Sequence, residues 1–167
     1  MTQGLDRMSV SQELREPSCP VEVGMKNGWT ELTIAFASGC FGGLTNGIAV
    51  WLFGVTGITA ASGVQIAPAF TLPYLYQKVV WGGIWGPVLL LPLLRESIWA
   101  RGILLSLGPT FVQLFIVFPF RLNKGLMGLE LGQLTPLFVF IYNAIWGVCA
   151  VGWMRSVTRR SSDETGR

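Results

Sequence analysis

Val79–Leu94 (VVWGGIWGPVLLLPLL) and Ile98–Phe120 (IWARGILLSLGPTFVQLFIVFPF) are two long apolar runs joined by the charged elbow Arg95-Glu96-Ser97, with Arg101 just beyond it. About 20 apolar residues cross the hydrocarbon of a bilayer as a helix, so this stretch predicts a membrane hairpin. The rest of the chain is organised around it.

Working outward, a further span is expected upstream, from about Thr33 to Gly54, and another downstream, opened by Thr135 and Pro136 and ending near Met154. Thr135 is suited to capping that last helix, and Pro136 to its first turn. The second span is expected to start at Pro73 and end at Leu94, with a kink or loosened last turn at Pro87 and Pro92. Pro109 is a kink candidate in the third span, which Pro119 closes. The expected fold is therefore an all-α membrane protein of four transmembrane helices over 30–154. Residues 1–29 form a flexible tail and 155–167 a short charged one. Residues 55–72 are too polar for a span and too apolar for a solvated loop, so an interfacial or re-entrant segment is expected there. Residues 121–134 form a leucine-rich loop at the interface.

Composition agrees with this class. Of 167 residues 51% are hydrophobic and only 13% charged, where a soluble domain carries roughly 25% charge. Mean hydropathy is +0.52. The net charge of +3 lies in tails and loops, and no basic stripe with interleaved aromatics points to nucleic acid. Cys19, Cys40 and Cys149 have no metal or disulfide spacing. The chain has no histidine, which removes the usual general base and the commonest haem and metal ligand. No Asp or Glu falls within an expected span, so a carboxylate proton relay is missing. No phosphate-binding loop is present either. Neither an enzyme nor a cofactor protein is expected. The polar first 29 residues have no apolar core of a signal peptide.

Topology follows from the basic residues. Arg7, Arg15, Lys26, Arg95, Arg101, Arg155, Arg159, Arg160 and Arg167 share one side, against Lys78, Arg121 and Lys124 on the other. Positive residues favour the cytoplasm, so both termini are expected there. Trp29, Trp51, Trp99 and Trp153 then fall near span ends. A shift of 65 residues lays Trp81-Gly82 on Trp146-Gly147, as two repeated hairpins of the same orientation would.

Two sets of residues are candidates for function. Ala35, Gly39, Gly43 and Gly47 recur every fourth residue and form a helix face on which another backbone can pack closely. Asn46, Gln113 and Asn143 lie near mid-span in the first, third and fourth spans, and Lys78 about one turn inside the second. Lipid penalises all four. The amides serve either as interhelical glue, each bond worth about 0.6–2 kcal/mol, or as the lining of a solute path. Lys78 is expected to snorkel to the headgroups or to pair with Glu130. Arg95 and Arg101 are expected to anchor the elbow to anionic lipid, with Glu96 in a local salt bridge.

Arg101-Gly102-Ile103-Leu104-Leu105-Ser106, followed by Gln113, Phe118-Pro119 and Gly128, resembles part of the YagU-type bacterial inner-membrane proteins. That resemblance implies a small polytopic protein of the bacterial inner membrane. Two functions are carried forward. The first is a non-enzymatic accessory or structural protein that associates with itself or a larger membrane complex through the Ala35/Gly39/Gly43/Gly47 face. The second is a small channel or facilitator for an uncharged solute.

Overall fold

The first helix, α1 (Glu22–Val55), carries the small-residue stripe, and the chain returns along it as α3 (Leu72–Trp85). The structure is a computed structural model that describes residues 22–94 and 96–165, with side chains over 28–94 and 96–159. The expectations for residues 1–21, and for the side chains of Arg95, Arg160 and Arg167, lie outside the described residues. A short helix α2 (Ile58–Ala61) lies between α1 and α3. Next come α4 (Ile98–Val112), continued by a π-helical stretch Gln113–Arg121, and α5 (Thr135–Thr165). Among the described residues there is no strand. Three helical segments, Gly28–Val55, Ile98–Arg121 and Thr135–Arg159, are long and apolar enough to cross a membrane. Large apolar side chains such as Phe36, Leu107 and Phe111 lie exposed along these helices, and Ile84 along α3, as lipid-facing surfaces require.

The helices stand side by side in the order α3, α1, α5, α4, each antiparallel to the next. Glycine sets the closest approaches. A Cβ on Gly39 would lie 2.7 Å from the Cα of Gly86 and collide with the carbonyl of Gly82, and one on Gly82 would lie 2.7 Å from the Cα of Gly43. A Cβ on Gly42 would meet the Trp146 carbonyl oxygen at 2.7 Å, and one on Gly102 would meet the Cα of Val148 at 2.6 Å. Close backbone contact of this kind maximises dispersion where no hydrophobic effect drives helices together. By contrast, α3 and α4 barely touch, and a point of contact is the Trp85 ring against Gly108. The row of four is thus curved, with a concavity between its outer members.

One end of the bundle carries the start of α1, the end of α5 and the elbow. There Leu89, Leu105, Trp146, Ala150 and Val151 form an apolar cluster. At the opposite end, residues 56–71 and 122–134 fold over the helices. The Gln65 N–H donates to the Leu131 carbonyl at 2.7 Å, and Val64 packs with Val50, Phe138 and Tyr142.

Several boundaries differ from expectation. Helix α1 begins at Glu22, ahead of Thr33, and α5 continues to Thr165, past Met154, because nothing polar in these stretches breaks a helix. Helix α3 stops at Trp85 and gives way to a 3-10 turn, Gly86–Leu90, instead of running to Leu94. Pro87 has no N–H to give the Gly83 carbonyl, which the Gly86 N–H takes instead. Pro109 sits inside α4 without ending it, and the widened turn begins four residues later. Thr135 does not cap α5. It is the first helical residue, fully buried, and the first bond runs from the Phe138 N–H to the Leu134 carbonyl. Thr71 and Ser97 do cap, accepting from the Tyr74 and Ala100 N–H groups.

Candidate functional site

Asn46 and Asn143 are buried on α1 and α5, and Lys78 and Gln113 are half-buried on α3 and at the start of the π-helical stretch. Each comes from a different helix, yet all four line one internal space of about 40 Å³ in the concavity, beside Trp81, Trp85 and Trp146. Asn46, Lys78 and Gln113 also line a larger cavity of about 370 Å³ nearer the loop end. Its walls include Tyr74, Phe118 and Tyr142, and the segment Gln65–Pro68 forms one side. The two spaces share these three polar residues. Together they outline a partly open, mostly apolar chamber that enters from the loop end, narrows at Asn46, Lys78 and Gln113, and ends at the tryptophans. Beyond them the Leu89/Leu105/Trp146 cluster closes the tail end.

Hydrogen bonds fix the walls. Asn46 Nδ2 donates to the Tyr142 carbonyl at 2.8 Å, and Asn143 Nδ2 to Gln113 Oε1 at 3.4 Å. Tyr74 donates its hydroxyl to the Gly47 carbonyl at 2.9 Å, and Trp146 donates Nε1 to the Gly39 carbonyl at 3.1 Å. The amides thus act partly as interhelical glue, as one expectation held, but only two of the three meet side chain to side chain. Two buried donors of the lining, the Tyr142 hydroxyl and Trp85 Nε1, have no hydrogen-bond partner among the described residues. An unsatisfied buried donor costs about 1–3 kcal/mol.

Lys78 does not pair with Glu130. Its stem packs on Gly47, where a Cβ would lie 3.3 Å from the lysine Cβ and Cγ, and its Nζ stands 5.9 Å from the centre of the Tyr74 ring. Glu130 is exposed and folds back on Gly125 in the loop. The lysine head thus lies in the chamber rather than on the lipid-facing surface. Arg101 is held by protein as well. Its Nη2 donates to the carbonyl of Leu89 at 2.6 Å and to that of Leu91 at 3.2 Å, which also accepts from the Leu93 N–H. Glu96 meets Arg155 through its backbone carbonyl, at 3.3 Å from Nη1.

The Ala35/Gly39/Gly43/Gly47 face packs a helix, but that helix is α3 of the same chain. No protein-family model matches this chain, and neither curated proteins nor solved structures give a match. Function must therefore be read from the chamber itself. Sequence reasoning missed its aromatic residues Tyr74, Trp85 and Tyr142. Tyr142 could have been found, since a tyrosine at mid-span needs a partner for its hydroxyl. Among the described residues no cluster of His, Cys, Asp or Glu could hold a metal.

Proposed function

We propose that this chain is a four-span membrane protein that admits a small polar solute to its central chamber and passes it across the bilayer. Four side chains that lipid penalises converge, from four separate helical segments, on one space. That convergence carries the reading, because glue alone requires only pairs. Association through the small-residue face has less support, since α3 already covers it.

The fourth span is α3 with its 3-10 extension. Fourteen α-helical residues rise about 21 Å at 1.5 Å each. The five that follow add about 10 Å, which matches a hydrocarbon core of roughly 30 Å. The excess of Arg and Lys at the tail end supports cytoplasmic termini. Gly82 and Gly147 dock on α1 and α4 in the same way, which supports two hairpins related by an axis along the membrane normal.

Solute passage is tested by reconstituting the protein in liposomes and following osmotic shrinkage in a panel of small polar solutes. Replacement Asn143→Leu fills the narrow end of the chamber. It is expected to leave the detergent-solubilised protein monodisperse and to reduce flux to the protein-free rate. Undiminished flux in a folded Asn143→Leu protein would refute the chamber as the path.

A further inference from the structure

We propose that the solute is a compact oxyanion carrying a single negative charge, held by Lys78 at the narrowing of the chamber. This deepens the reading above and rests on it. It departs from the uncharged solute expected from sequence.

The observation behind it is a cation in the lining with no counter-charge. Lys78 is the one charged residue among those that form the two spaces, and no Asp or Glu joins it there. Among the described residues it has neither an ion pair nor a hydrogen bond, and its head rests near the Tyr74 ring. A cation brought into a membrane interior requires a counter-charge, and elsewhere that is supplied by a neighbouring carboxylate. Here the protein supplies none. The amides of Asn46, Gln113 and Asn143 add N–H donors beside it. Gln113 Oε1 is already engaged by Asn143.

Such a lining offers one full positive charge and several hydrogens to whatever enters. A neutral solute would leave the ammonium uncompensated. A divalent cation would be repelled by it and would find no carboxylate. A monoanion with two or three acceptor oxygens satisfies the charge and takes hydrogens from the neighbouring amides. Size agrees, because a space of about 40 Å³ at the narrow end holds a few heavy atoms and no headgroup.

Nitrate and urea separate charge from shape, being planar, trigonal and of equal heavy-atom count. Proteoliposomes of the full chain are loaded with potassium salts and valinomycin to cancel the membrane potential, and uptake of each solute is compared with protein-free vesicles. Saturable nitrate uptake is expected, with urea at background. Lys78→Met, which keeps the stem over Gly47, should reduce nitrate uptake by roughly thirtyfold or more, the usual loss when one partner of a buried charged pair is removed. Lys78→Arg should restore much of it. If Lys78→Met does not give monodisperse protein, Lys78→Gln takes its place with the same expected loss. Urea uptake without nitrate uptake, abolished by Asn143→Leu, would overturn the anion and leave the chamber as a path. Nitrate uptake unchanged in both neutral variants would overturn the role of Lys78. Movement of neither solute would overturn this proposal and the passage reading with it.

Discussion

Gly43 shows how much of this molecule depends on a missing methyl group. A Cβ there would collide with the carbonyl of Lys78 and lie 3.1 Å from the Cα of Val79, both backbone atoms that cannot turn aside. Gly43→Leu is therefore expected to separate α1 from α3 within one chain, costing at least about 2 kcal/mol as over-packing does. The check is a thermal melt in mild detergent, where a fall in Tm without any change of oligomeric mass is the expected result. The stripe of which Gly43 is part was legible from four-residue spacing alone. Its partner was not read from the sequence, which assigned the face to another chain although Lys78, Gly82 and Gly86 repeat the same spacing. Depth and polarity singled out Asn46, Lys78, Gln113 and Asn143. What the sequence could not supply was direction. Whether Lys78 reaches for Glu130, for lipid or for the chamber depends on how α1 and α3 rotate about their axes, which no local pattern encodes.

The hairpin elbow is the element whose boundaries the sequence described least well. Prolines announced a loosened helix end, but not that Arg101 would reach back from α4 to hold the carbonyls of Leu89 and Leu91. A guanidinium can serve two carbonyls at once, where an ammonium is a single point charge. Arg101→Met should therefore destabilise the fold by about 1.5–3 kcal/mol, the range for hydrogen bonds to a charged group, and Arg101→Lys by less. Chemical unfolding of the two variants beside the parent measures the difference. Pro87→Ala makes a complementary test. With an N–H restored opposite Gly83, α3 is expected to gain a further α-helical turn, seen as slowed amide exchange at residues 87–90. Unchanged exchange there would show that Arg101, rather than the proline, ends the helix.

At the scale of the whole molecule, the all-helical class and the three long apolar helices were readable because bilayer thickness fixes their length. Helix ends were not, since charged residues such as Arg155 continue a helix into water as readily as they end it. The threading can be tested directly. In a background with Cys19, Cys40 and Cys149 replaced, Gln133→Cys at the exposed loop end should react with an impermeant maleimide added outside intact cells. Ser156→Cys should react only after the membrane is opened. The reverse pattern would invert the topology. The apolar cluster of Leu89, Leu105 and Trp146 below the chamber has a consequence for kinetics. With the tail end closed there is no continuous water column, so planar-bilayer recordings should show no unitary current steps. Each turnover must instead await a rearrangement of the helices on the microsecond-to-millisecond scale of collective motions, and throughput should rise with temperature far more steeply than diffusion through a pore.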